Sequence, residues 1–364
     1  MTSALRKILR SGGAGLALLA TASLGIAPAS KAPSPKRAAP KPAPQAPRDL
    51  QDRISELGKG FDGRVGIAVK SIDDSWIAGW NANDLCPQQS VSKLWVSIAV
   101  LDAVDRGKLR LDDPVTLTRE DLTVFHQPIA DEVLKTGSFT TTVGDLMVRQ
   151  ITQSDNTAND KLMRLVGGPD AVRAMIARKH LGTIRFANGE RSLQSRIAGL
   201  AWDPAYSLGT AFFAARDALP MDKRQAAFDR YVRDPYDGAT ARAIVDALAR
   251  LKRGELLAPS STQYLLTIMS QTHTGPNRLK GGLAPGWTLN HKTGTGQVLG
   301  PAQAGYNDIG ILTAPDGKSY AVAVMIKLTS VPLPVRMTLM NEVVRAVIAE
   351  HDREATARAV PRLR

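Results

Sequence analysis

Ser90-Val91-Ser92-Lys93-Leu94-Trp95-Val96-Ser97-Ile98-Ala99-Val100-Leu101 opens a long apolar run on a serine and, three residues later, a lysine. On a helical turn that spacing puts the hydroxyl and the amine on one face, the pairing that a serine nucleophile with a nearby proton carrier requires. Leu94, Ile98, Leu101 and Val104 mark an apolar helix face that ends near Gly107. Ser90 then lies at the helix N-terminus, where the dipole favours a developing negative charge. A residue there can also act simply as a helix cap, so the pair alone does not define a site.

Outward from this run, the hydrophobic period changes. The helical pattern continues to about residue 255, with Thr142 to Ile151 and Ala158 to Leu165 as further helices and Gly167-Gly168-Pro169 ending the second. Upstream, residues 49–59 read as a short amphipathic helix. Gly63 to Ile72 and Ser75 to Asn81 read as strands joined through Asp73-Asp74. Downstream, Trp287 to Thr293, Tyr306 to Thr313 and Tyr320 to Leu328 are β-rich, with a turn at Pro315-Asp316-Gly317 and a terminal helix from Pro334. Strands at both ends with helices between them predict an α+β fold: one antiparallel sheet built from N- and C-terminal segments, flanked by helices, with an inserted all-α lobe. The expected division is an α/β lobe of residues 49–88 and 260–355, a helical lobe of 89–259 and a tail of 356–364. Residues 183–207 lose periodicity, and so long a loop in a compact domain is expected to be functional. Residues 204–239 include an extra helical stretch around Gln225 to Val232 with no evident role.

The N-terminus has the layout of an export signal. Arg6, Lys7 and Arg10 precede an apolar run from Gly15 to Ala27, and Ala27-Pro28-Ala29 suits cleavage. The expected signal peptide is residues 1–29, which implies a periplasmic or secreted protein. Residues 30–48 form a Pro/Ala/Lys linker that cannot build a core. Residues 1–48 hold eight Lys/Arg and no Asp/Glu, so they carry most of the net charge of +13 and leave the rest of the chain at +5. A modest positive field with no aromatic-interleaved basic stripe argues against nucleic acid and suits an anionic small molecule or cell-wall polymer. Cys86 is the single cysteine, so no internal disulfide can form, and a buried thiol is expected. The histidines at 126, 180, 273, 291 and 351 lack metal-ligand spacing, so neither metal nor cofactor is expected.

Three more pieces follow the Ser-x-x-Lys in order: Ser154-Asp155-Asn156, Glu190, and Lys292-Thr293-Gly294. They add a second hydroxyl beside an amide, a carboxylate, and a lysine on a predicted strand, the parts of a serine acyl-transfer site. With these motifs the chain resembles the class A β-lactamases over about residues 50–350 and, more distantly, the penicillin-binding DD-peptidases. Glu190-Arg191-Ser192-Leu193-Gln194 resembles the family's Glu-x-x-Leu-Asn segment on its Ω loop, and Asp203 matches the acidic residue that closes it. Trp287 resembles a packed family tryptophan. Phe125 or His126 lies where an aromatic flanks the pocket mouth, and Arg278 where some members bind the substrate carboxylate.

The resemblance implies hydrolysis of a small-molecule β-lactam through an acyl-serine intermediate. Its catalytic residues would be Ser90, Lys93, Ser154, Glu190 and Lys292. Asn156, Gln194, Thr293, Gly294, Thr295 and Arg278 would bind substrate, with backbone N–H groups of Ser90 and Thr295 as the oxyanion hole. Either Lys93 or Glu190 through a water would be the acylation base. Nothing in the chain demands more than a monomer. Gln194 replaces the usual asparagine, and Asn188 stands where an arginine normally pairs with the loop-closing acid, leaving Arg185 or Arg191 to substitute. The alternative is a DD-peptidase-like acyltransferase that acylates readily and hydrolyses poorly. A non-catalytic receptor fits less well, because no acyl-transfer piece is missing.

Overall fold

The computed structural model describes residues 44–359; the expected signal peptide, residues 30–43 of the linker and the last five residues of the chain lie outside them. The sheet is assembled from both ends of the chain, as its interrupted β pattern predicts. Strands β1 (Arg64–Ser71) and β2 (Ile77–Trp80) come from the N-terminal side, and β7 (Thr288–Thr295), β9 (Ala302–Thr313) and β10 (Ser319–Thr329) from the C-terminal side. They lie antiparallel in the order β2-β1-β10-β9-β7, with short β8 (Val298–Leu299) paired to β9. The β9–β10 turn is fixed by Asp316, whose side chain accepts from Lys318 N at 3.0 Å, and by Gly317 at φ 92°.

Period-2 alternation divides the strands between two cores. Val65, Ile67, Val69, Val322, Val324 and Ile326 face α1 (Arg48–Gly60) and α12 (Leu333–Ala359), while Ala68, Ile309, Ile311, Ala321, Ala323 and Met325 face the helical lobe. Both faces are thus covered, and the central strands are buried almost throughout. Cys86 lies in the second core, where burial pushes its thiol up to about 12, an unreactive setting.

The lobe inserted between β2 and β7 begins with β3 (Leu85–Pro87) and α2 (Lys93–Asp105). The α2 helix is buried from Lys93 to Ala103 on every side, although only one apolar face was expected from its periodicity. Around it stand α3 (Ile129–Thr136), α4 (Val143–Val148), α5 (Asn156–Leu165) and α6 (Pro169–Arg178), with a hairpin of β4 (Pro114–Thr118) and β5 (Ser138–Thr142) at the edge. The long loop follows, carrying α7 (Gly189–Ile197), α8 (Ala211–Ala218) and α9 (Met221–Arg233). The chain then returns through β6 (Gly238–Thr240), α10 (Ala241–Lys252) and α11 (Pro259–Ser270).

Three expected boundaries shift. The helical lobe ends before 260, because α10 presents Ile244, Val245 and Leu248 to the same core as the sheet residues and so covers the sheet. The linker gives way before 48, since Gln45 forms a bridge with Ile77 and Pro47 O accepts from Gln51 N. At the other end α12 continues to Ala359, into the stretch expected as a tail.

Ile67 is fully buried at the centre of the sheet. Ile67→Ala should therefore lower unfolding stability by about 2–5 kcal/mol in denaturant titration, whereas Arg110→Ala, which removes an exposed pair with Asp112, should leave the unfolding midpoint essentially where it is.

Candidate active site

Ser90 sits in a 3-10 turn, Gln89–Ser92, that leads from β3 into α2. Gln89 makes that turn at φ 53°, and its N–H donates to Asp237 Oδ2 at 2.6 Å, which holds a conformation that non-glycine residues seldom adopt. Because α2 is buried all round, Lys93 has no route to solvent and its side chain is 0% exposed. Its ammonium donates to Ser90 Oγ at 2.9 Å, to Asn156 Oδ1 at 2.8 Å, and to Glu190 Oε1. These three partners use all three donors of an ammonium.

Ser154 occupies the left-handed region, φ 64°, at the end of a π-helical turn, Arg149–Gln153, and this kink turns the Ser-Asp-Asn segment towards α2. Asp155 caps α5, accepting from Ala158 N and Ile129 N at 2.8 Å each. Asn156 donates through Nδ2 to Val124 O at 2.7 Å, so its amide is anchored at both ends.

Opposite, β7 carries Lys292, Thr293, Gly294 and Thr295 along the cleft edge. Lys292 Nζ donates to Ser154 Oγ at 3.0 Å and to Thr293 O at 2.9 Å. Burial, and then the charges of Lys93 and Arg278, lower its pKa well below the usual lysine range. Gly294 is required by packing: a Cβ there would stand 2.3 Å from Gln88 O, so any side chain would push β7 away from the Ser90 turn. Arg278 is buried, stacks over Tyr306 at 3.8 Å, and donates to Gly294 O, Asn307 O and Thr295 Oγ1 at 3.1, 2.7 and 2.6 Å. Thr293 Oγ1 lies 2.6 Å from Thr274 Oγ1.

Glu190 comes from the first turn of α7. Its N–H donates to both carboxylate oxygens of buried Asp160, at 2.9 and 3.1 Å, in the setting where a helix N-terminus binds an anion. Gly189 before it is at φ 85°, and a Cβ there would meet the Asp160 oxygens at 3.0 Å. Gln194, one turn on, donates to Glu190 Oε2 and to Gln89 Oε1, both at 3.1 Å. Gln297 donates to Gln194 O and Oε1 at 2.8 and 3.0 Å.

The expected site residues therefore converge. Ser90, Ser154, Asn156, Gln194, Arg278, Thr293 and Thr295 line one cavity of about 470 Å³, with Lys93, Glu190 and Lys292 beneath it. Phe125 and His126 both stand in its wall, and Trp287 stacks on Tyr320 in the α12 core.

Asp203 does not close the loop. It is exposed and caps the short turn Pro204–Ser207, accepting from Ala205 N at 2.8 Å. The loop's neck lies further on, where Ile184 bridges Ala239 and Arg185 N donates to Gly238 O at 2.8 Å, and the fully buried acid beside it is Asp237. The region 204–239 is thus part of the loop, with α9 covering α7 through Phe228, Tyr231 and Val232 packed on Leu193 and Ile197. Arg185 supplies an ion pair at this neck, to Asp234 at 2.5 Å. Arg191 instead reaches the carbonyls of Glu120 and Leu122, and Asn188 accepts from Arg173. Gln89, Asp160, Tyr231, Asp237 and Gln297 were not picked out from the sequence. The glutamine directly before Ser90 was the one local signal available.

Burial raises Asp237 from 3.8 to about 6. The folded state therefore holds this proton more tightly than the unfolded chain, and the contribution is fully present below about pH 4 and lost as pH rises through 6. The stability of Asp237→Asn relative to the native chain should accordingly fall by about 2–3 kcal/mol on acidification from pH 7.5 to pH 4, at about 1.4 kcal/mol per pKa unit, in urea titrations of both proteins.

The sequence of residues 49–351 matches the model of the Beta-lactamase enzyme family. The chain is 26% identical over 278 residues to Beta-lactamase VEB-1 of Pseudomonas aeruginosa, covering 76% of this chain and 82% of that protein. It is 30% identical over 281 residues to a beta-lactamase of Mycobacterium tuberculosis, covering 77% and 78%. Its fold superimposes with a TM-score of 0.64 on a variant of the last common ancestor of Gram-negative bacteria class A beta-lactamase, at 29% identity over 83% of this chain and 98% of that one. A catalytic-type serine, two buried lysines and a loop carboxylate converge on one cleft in a chain with these relatives, and the protein belongs to the class A β-lactamase family.

Proposed function

We propose that this enzyme hydrolyses β-lactams with Ser90 as nucleophile, Lys93 and Glu190 as proton carriers, and Gln194 beside Glu190 for deacylation. The observation that carries the reading is the Lys93 ammonium held between Ser90 Oγ and the Glu190 carboxylate, with Gln194 on the carboxylate's second oxygen. In acylation the Ser90 hydroxyl proton passes to Lys93 as Lys93 gives one to Glu190. The Oγ–C bond forms, and the lactam C–N bond breaks. The leaving nitrogen takes its proton from Ser154, whose hydroxyl is held by Lys292 at 3.0 Å; Lys93 replaces that proton and recovers its own from Glu190, which is therefore ionised again before deacylation. In deacylation Glu190 takes a proton from water, the water oxygen adds to the acyl carbon, and Ser90 Oγ leaves and is reprotonated by way of Lys93.

Thr293, Thr295 and Arg278 lie on the side of the cleft where the substrate carboxylate would be held. Backbone N–H groups of Ser90 and Thr295 would receive the oxyanion, and Asn156 would bound the acyl side chain. Contact between Gln194 and Glu190 supports hydrolysis over the peptidase alternative, which rested on the altered length of that amide. The leader-like N-terminus supports a periplasmic or secreted protein. Among the described residues no helix is long and apolar enough to cross a membrane.

Glu190→Ala should slow acylation, because Lys93 loses the acceptor for its proton, yet slow deacylation far more, lowering turnover by about 10²-fold or more. A chromogenic cephalosporin should then give a one-equivalent burst, with the acyl adduct visible in the intact-protein mass. Turnover at the native rate would remove Glu190 from this role.

A further inference from the structure

The loop's second half reaches the reacting groups through a directed run of buried hydrogen bonds. Tyr231, from α9, donates its hydroxyl to Asp237 Oδ1 at 2.9 Å. Gln89 Nε2 donates to the Tyr231 oxygen at 2.6 Å, and Gln89 Oε1 accepts from Gln194 Nε2 at 3.1 Å. Gln194 Nε2 also donates to Glu190 Oε2, while Gln297 occupies Gln194 Oε1. All five members from Asp237 to Glu190 are at least nine-tenths buried.

The direction of each bond follows from the first. Ionised Asp237 can only accept, so Tyr231 donates, and the phenol oxygen is left to accept from the Gln89 NH2. The Gln89 carbonyl must then face Gln194 and take its NH2. Turning the Gln194 amide over would set its carbonyl against both the Gln89 carbonyl and the Glu190 carboxylate, leaving acceptors facing each other away from water.

We propose that Tyr231 and Gln89 are positioning residues for deacylation, fixing which end of the Gln194 amide meets Glu190 and so where that carboxylate holds the attacking water. The inference rests on the hydrolase reading above. It also assigns a role to the long α8–α9 extension, because α9 delivers Tyr231.

The test is Tyr231→Phe, which removes one hydroxyl, with Gln89→Met as a second variant that breaks the run elsewhere. Each is assayed beside the native enzyme with a chromogenic cephalosporin under conditions where deacylation limits turnover. Loss of positioning slows only the second step. Thus kcat and KM should fall together by about tenfold with kcat/KM unchanged, and the acyl-enzyme should accumulate in the intact-protein mass. A purely structural loss would lower kcat/KM instead, and that result overturns the proposal. So does an unchanged kcat in either variant while the native enzyme turns over. A native enzyme that stops after one equivalent overturns the hydrolase reading, and the relay with it.

Discussion

A fully buried ammonium, that of Lys93, is the constraint on which the site depends. Removing such a charge from water costs several kcal/mol unless every donor finds a well-placed acceptor. Its three acceptors come from three places: the turn before α2, the start of α5, and the first turn of α7. Each place is itself fixed locally, by the positive φ of Gln89, the Asp155 cap and the Asp160 carboxylate beneath Glu190. The nucleophile and the carboxylate are therefore coupled through one nitrogen.

The sheet supplies the other wall. Lys292 is as buried as Lys93, and the two amines share one cleft with different partners: hydroxyl, amide and carboxylate for Lys93, hydroxyl and carbonyl for Lys292. Gly294 lets β7 approach the Ser90 turn closely enough to make a single cleft. The cluster of positive groups along that edge, Arg278 included, leaves an electropositive surface suited to an anionic substrate.

Motif spacing made the site's contents legible because Ser90 and Lys93, Glu190 and Gln194, and Lys292 to Thr295 are each neighbours on one local element. Alternating apolar residues likewise revealed the strands, with β1 and β10 placed to within about two residues. What stayed hidden was non-local. Asp203 and Asp237 are both acids downstream of Glu190, and only the Ile184–Ala239 bridge tells which one stands at the loop neck. Tyr231 reads in the sequence as an apolar position on α9, because its hydroxyl finds partners more than a hundred residues away in Gln89 as well as nearby in Asp237. The burial of α2 on all sides likewise depends on neighbours from the sheet and both flanks of the lobe.

Lys93→Arg separates charge from proton transfer, since a guanidinium keeps the buried positive charge but does not give up a proton at working pH. The decisive measurement is the single-turnover acylation rate of this variant with a chromogenic cephalosporin, alongside its melting temperature. A coupled Ser90–Lys93–Glu190 site predicts a folded protein whose acylation is slower by about 10²-fold or more. Acylation at the native rate would contradict the account.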